Sequence, residues 1–255
     1  MAKSLAYSET MGIVQNYMDK ILRGRSVIRD NFRRTNISSD TKLLMSSADI
    51  PNSMFNIGEG SCLDIIILAL DCDRRTIRLT FELEKFSQLK CVILSENCKN
   101  FDISVDSILK GELANSDIGN FFYGKNSDGQ KFSISQTHDA VNSKSNVVSK
   151  TILDDSALSE FYGKITIGEI AENSDARQSN DNILLSDMAQ AISHPDLLIS
   201  NSNVKCSHGA TVGAIGDDTT FYMMSRGIDI PACKQLVAEG TISSILTIIL
   251  GQEFI

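Results

Sequence analysis

A chain of 255 residues, 42% hydrophobic and 22% charged, is long enough to bury a sizeable core and too apolar for a disordered polymer. Its 24 Lys and Arg stand against 32 Asp and Glu, and the formal charge of −8 excludes a general phosphate-binding surface and with it nucleic acid as the expected partner. Three prolines and no tryptophan exclude a Pro-rich linker.

Residues 1–57 read as a helical and irregular segment. Val14, Tyr17, Met18, Ile21 and Leu22 recur at helical spacing, with Ser8 as a candidate cap and Gly24 as a stop. Lys20, Arg23, Arg25, Arg29, Arg33 and Arg34 make this part basic, which reads as a solvated helix face. Ser4 to Leu22 is amphipathic and fails as a secretory core. The longest apolar runs, Ile65–Leu70 and Ile242–Leu250, are too short to span a bilayer. A cytoplasmic protein without a membrane partner is expected.

Residues 58–215 are strand-rich. Ile77, Leu79, Phe81 and Leu83 alternate with polar residues, as do Phe101, Ile103 and Val105, and again Phe161, Gly163, Ile165 and Ile167. Period two with one apolar face predicts half-buried strands. Asn126–Ser127–Asp128–Gly129 and Asn173–Ser174–Asp175 are turn sequences between them. Long crossover helices are missing, which argues against a doubly wound α/β sheet. A sandwich, a barrel or a parallel β-helix remains, and the scarcity of Asn-Gly and Asp-Gly hairpin signals favours the last.

Residues 216–255 read as a helical hairpin. Asp217 or Asp218 caps a helix carrying Phe221 and Met224, and Gly227 ends it. Asp229 and Pro231 suit the start of a second helix. Leu236, Val237, Ile245, Leu246 and Ile249 supply its apolar stripe, with Gly240 as a possible interruption.

Six cysteines occur and none forms a CxxC pair. Cys62, Cys72, Cys91 and Cys98 are expected as free thiols behaving as small buried hydrophobes, and Cys233 as core packing. His138 is read as serving a turn or a hydrogen bond, and His194, before Pro195, as loop surface. Gly58–Glu59–Gly60–Ser61 is glycine-rich but lacks the lysine of a phosphate-binding loop, and no Walker A sequence occurs anywhere in the chain.

The sharpest chemical pair is Cys206 and His208, in the run Val204 to Gly213. As a strand, this run sends Val204, Cys206, His208, Ala210 and Val212 to one face. Thiolate and imidazole are both ligands for iron, zinc or copper(I). The same pair also reads as packed core residues, so both readings stand on the residues alone. Apolar alternation predicts that the two side chains point inward and are buried, reached only if the strands shear or open.

The ordered series Phe161–Tyr162–Gly163–Lys164–Ile165, Ala176–Arg177–Gln178–Ser179–Asn180, Leu184–Leu185–Ser186–Asp187, Pro195–Asp196–Leu197, Lys205 to Gly213 and Phe221 to Ile228 resembles the C-terminal half of the SufB/SufD family, its SufD branch in particular. The likeness covers about residues 136–250 and little before 130. Met224 stands where the family usually has an arginine. The resemblance implies a right-handed parallel β-helix with helical ends and a non-catalytic role in iron–sulfur cluster assembly. It implies pairing with a SufB-like protein, or with a second copy of this chain, and docking of a SufC-type ABC ATPase through the C-terminal helices, with Phe221, Tyr222, Arg226 and Gly227 as the contact. It implies His208, with Cys206 nearby, as ligands to transient iron or an iron–sulfur cluster at the subunit joint, with no cofactor held stably. A purely structural stabiliser of the complex, without metal ligands, is the competing reading.

Overall fold

The computed structural model describes residues 14, 21, 26–28, 34–48, 50, 52–215 and 217–251. Fifteen strands follow one another: β1 (Ser26–Ile28), β2 (Arg34–Ile37), β3 (Thr41–Ser46), β4 (Asn52–Ile57), β5 (Cys62–Leu70), β6 (Thr76–Leu83), β7 (Gln88–Glu96), β8 (Phe101–Leu109), β9 (Asn115–Gly124), β10 (Gly129–His138), β11 (Lys144–Leu153), β12 (Leu158–Ile167), β13 (Asp175–Leu184), β14 (Gln190–Ile199) and β15 (Lys205–Ala214). Two helices close the series, α1 (Asp217–Ser225) and α2 (Ile230–Leu250).

Odd strands pair only with odd strands and even with even, so an eight-stranded and a seven-stranded parallel sheet face each other. Each coil contributes one strand to each sheet, which is a parallel β-solenoid, as the scarcity of hairpin signals favours and the resemblance implies. The alternating residues of β6, β8 and β12 point inward and are buried between the sheets. Phe55 stacks on Phe81, and Phe132 lies against Phe161, one coil apart. One inward column of the odd sheet runs Leu43, Ile65, Cys91, Ile118, Val147, Gln178, His208.

The strand region starts earlier than the sequence predicts. β1 to β4 lie in residues 26–57 and are already in register with the next coils. β1 to β3 carry no period-two signal, since β1 has three residues, only Ile37 of β2 is buried and β3 is buried in a continuous run, while β4 alternates over only six residues. Of the helix expected before Gly24, only Val14 and Ile21 lie among the described residues; both are fully buried, and the Val14 amide donates to Glu96 Oε2 at 3.0 Å.

Corners are set by residues in the left-handed region. Asp71, Asn97, Asn126 and Asp155 occupy one corner with φ of 50–54°, where Asn and Asp are the cheapest side-chain-bearing choices. Coil length drifts: Ile65 to Cys91 spans 26 residues and Val147 to Gln178 spans 31. That drift hides the repeat from a fixed-period reading.

The odd sheet is buried on both faces along β5, β7 and β9, which is why β5 reads as an almost unbroken apolar run. Its outer face carries Ile66, Val92, Phe121 and Ile152, packed against Ile242, Ile245, Leu246 and Ile249 of α2. The helix spans 21 residues, passes through Gly240 unbroken, and is long and apolar enough to cross a bilayer by length and composition. The apolar run Ile242–Leu250 alone predicts a shorter element. Here the stripe is accounted for by the sheet beneath it.

Candidate functional site

Among the described residues the solenoid ends without a cap. β15 pairs with β13 alone and β14 with β12 alone, so both sheets finish in an unpaired ten-residue edge among the described residues. Almost every residue of β15 is exposed, and Ile192, Leu197, Leu198, Ile199 and Val212 present apolar surface there. Long uncovered edges of this kind are templates for pairing with another chain.

Cys206 and His208 sit on this last strand. Their register partners on β13 are Ala176 and Gln178, both buried and inward-facing. The face read from the sequence is therefore the observed one. Burial is not: His208 is exposed and Cys206 half-buried. Alternation fixes which face a side chain takes, whereas burial of that face requires a further coil, and none follows β15 among the described residues. No shear or opening is needed to reach the pair. Partial burial, and then the nearby Asp175 carboxylate, push the Cys206 thiol above its ordinary value, so in the isolated chain it is a protonated, weak ligand. Among the described residues no three His, Cys, Asp or Glu side chains converge on a metal position. Cys206 and His208 are thus two potential donors on the open edge, without a third beside them among the described residues.

Beneath the pair the lumen changes character. The inward residues of β13 after Ala176 are Gln178, Asn180 and Asn182; Gln178 follows an apolar column, whereas Asn180 and Asn182 continue columns already polar at Asn120, Ser149 and Thr151. Asn182 is satisfied, accepting from Thr151 Oγ1 at 2.6 Å and donating to the Thr211 carbonyl at 3.0 Å. Asn180 Nδ2 donates to Ser193 Oγ at 3.1 Å across the lumen, but its Oδ1 has no partner. Gln178 is buried with neither amide atom hydrogen-bonded. Its carboxamide lies against Gly163 of β12, where an added Cβ would collide with Nε2. Sequence reasoning misses this floor because polar inward residues erase the period-two signal.

The other predicted contact residues lie beyond β15. Phe221 and Tyr222 are exposed on α1, and Arg226 stacks over the Tyr222 ring at 5.3 Å. Gly227, at φ +82°, ends α1: its N–H donates to the Met224 carbonyl and that of Ile228 to the Met223 carbonyl, a Schellman termination. Asp229 caps α2 by accepting from the Ala232 amide at 2.9 Å, as predicted. The side chains of Asp217 and Asp218 lie outside those described.

Three further expectations resolve. Cys72 and Cys98 are joined in a disulfide rather than free, because stacking places them at one corner of successive coils; Cys62, Cys91, Cys206 and Cys233 are free. His138 is buried, with Nδ1 and Nε2 each 2.7 Å from a serine hydroxyl, Ser143 and Ser145. His194 is exposed, but on β14 rather than in a loop, stacked on Tyr162 with ring centroids 5.0 Å apart.

The family described as SUF system FeS cluster assembly, SufBD core domain, matches residues 54–241. An iron–sulfur cluster assembly SufBD family protein of Synechocystis is 34% identical over 118 residues, covering 44% of this chain and 26% of that protein. The iron–sulfur cluster assembly protein SufD of Escherichia coli is 40% identical over 88 residues, covering 34% and 21%. The protein of the same name from Bacillus subtilis is 28% identical over 153 residues, covering 60% and 33%. The matches thus span a third or less of these relatives' length.

Proposed function

The chain belongs to the SufBD core family of SUF-system FeS cluster assembly, and from that premise we propose that it is a SufD-like, non-catalytic scaffold subunit. In this reading the open end of the solenoid is one half of a subunit joint. β14 and β15 pair with a SufB-like protein, and nascent iron or an iron–sulfur cluster is held there in passing, as cargo, by His208 and Cys206. Phe221, Tyr222, Arg226 and Gly227, exposed at α1, form the contact for a SufC-type ABC ATPase in the cytoplasm.

The observation that carries this reading is the position of His208 and Cys206: inward-facing on a strand that no described element covers. Side chains destined for a closed core sit under another coil; these sit where a second subunit would supply one. The chemistry is ligand exchange. Neutral imidazole binds iron directly, while the Cys206 thiol binds after losing its proton, so its raised pKa makes it the conditional ligand of the two.

A second reading, a self-pairing structural stabiliser without metal ligands, draws on the same two free edges, since two copies can present them to each other. Replacing His208 with Ala separates the two. In complex reconstituted from the natively purified subunits, a scaffold role requires bound iron and sulfide to fall while assembly and folding persist. Unchanged yield leaves only the structural role. Truncation after Gly213 must abolish capture of the ATPase for the α1 assignment to hold.

A further inference from the structure

Gln178 is the one inward residue of its column that breaks an apolar series before the open end. Leu43, Ile65, Cys91, Ile118 and Val147 precede it, all buried. Its own carboxamide is buried and makes no hydrogen bond at either atom. An unpaired buried amide is destabilising, and an aliphatic side chain at this position would extend the series without that cost. The space it occupies depends on a second residue: any side chain at Gly163, on the opposite sheet, would collide with the amide. Gln178 and Gly163 together form the floor of the lumen one strand below His208, whose register partner is Gln178 itself.

Neighbouring strands in a sheet lie about 4.8 Å apart, so an imidazole at His208 and a carboxamide at Gln178, on the same face of paired residues, are within hydrogen-bond reach of each other after side-chain rotation. A carboxamide offers both a donor and an acceptor and can serve either ring nitrogen. A histidine ligand presents one nitrogen to metal, and the hydrogen bond at its other nitrogen decides which.

We propose that Gln178 is a positioning residue for His208: its buried carboxamide hydrogen-bonds one ring nitrogen and so fixes which nitrogen faces the subunit joint. This rests on the reading of His208 as a ligand, and it adds a residue with no contact to cargo. Gly163 is its counterpart, kept free of a side chain so that the amide can lie across the lumen.

The test uses the full chain with ¹⁵N-labelled histidine; the sequence has only three histidines. Ring-nitrogen shifts are recorded with and without zinc(II), a diamagnetic stand-in for ferrous iron, in the wild type, Gln178→Met, Gln178→Glu and Gly163→Ala. Methionine fills the site without a polar atom and keeps the fold; glutamate retains an acceptor. The expected result is one dominant His208 tautomer in the wild type and in Gln178→Glu. Gln178→Met and Gly163→Ala should show a mixture and bind zinc about tenfold more weakly. Unchanged His208 shifts in Gln178→Met overturn the proposal, as does weaker zinc binding with the tautomer unchanged. If the wild type takes up no zinc while Gln178→Met still changes the His208 tautomer, the role of Gln178 stands and the ligand reading falls instead.

Discussion

Lys234 Nζ donates to both carboxylate oxygens of Asp154, at 2.7 and 2.8 Å, and so fastens the first turns of α2 to the corner that follows β11. Both side chains are largely shielded from solvent. The pair pins a helix otherwise held mainly by apolar contact, with Lys150 Nζ donating to Ser244 Oγ at 3.2 Å further along it. Replacing Lys234 with Met should cost about 1 kcal/mol, the upper range for a partly exposed ion pair. Hydrogen exchange should quicken in the N-terminal half of α2 and stay unchanged in β9. Equal protection along the helix in the variant would show that the pair contributes nothing to docking.

The seat of α2 depends on a missing side chain. Gly119, in the middle of β9, lies under the helix, and a Cβ there would stand 2.9 Å from Ile249 Cγ1 and 3.4 Å from Ile245 Cγ2. Gly119→Ala should destabilise the protein by about 1–2 kcal/mol through overpacking. Ile249→Ala alone should cost about 2–4 kcal/mol, since it empties a buried site. Together they should cost less than their sum, because the new methyl occupies the space that the isoleucine vacates. A double-mutant cycle in urea measures this coupling, and strict additivity would place the helix elsewhere.

His138 gives the fold an acid-side weakness. Burial pushes its imidazole down to about 4, against an ordinary value of 6.5, with the Asp175 carboxylate opposing only in part. The folded state therefore prefers the neutral ring, which its two serine hydroxyls satisfy. The unfolded chain protonates first as pH falls. Stability from this residue is full above pH 6.5 and is lost as pH drops toward 4, by about 3 kcal/mol in all. In His138→Gln, which retains a donor and an acceptor, the difference in unfolding free energy from wild type should shrink between pH 7 and pH 4.5. A constant difference across that range would mean that the ring titrates freely in the folded state.

How legible this molecule is in its sequence varies from coil to coil. β6, β8 and β12 announce themselves, because apolar residues fill their inward positions and solvent wets the other face. β13 does not, since Gln178, Asn180 and Asn182 point into the lumen and no alternation of polarity survives. The disulfide between Cys72 and Cys98 is a product of stacking, and nothing in their separation of 26 residues signals it while coil length drifts. The pair on β15 shows the limit most sharply: periodicity gives its face, while the open end above it is a property of where stacking stops. Met224, in place of the family's usual arginine, is exposed on α1, and nothing in the structure explains the exchange.

The open end makes the last prediction. Each terminal strand offers ten residues of backbone N–H and C=O groups along a free edge, flanked by Leu197 and Ile199 on β14 and by Val212 on β15. Water satisfies these groups in the isolated chain, so the edge costs little until another edge meets it; then apolar surface is buried and a continuous sheet forms. The double variant Leu197→Asp, Val212→Asp puts two carboxylates on inward positions of the joint. Both sites are exposed, so the unfolding free energy should stay within about 0.5 kcal/mol per site of wild type. Association through the end should weaken at least about tenfold, since each charge would be desolvated without a partner. Sedimentation velocity over a concentration series reads this for self-pairing, and native mass spectrometry of the co-purified complex reads it for a SufB-like subunit. If the double variant pairs as tightly as wild type by both measurements, the joint lies on another surface and His208 with Cys206 faces solvent alone.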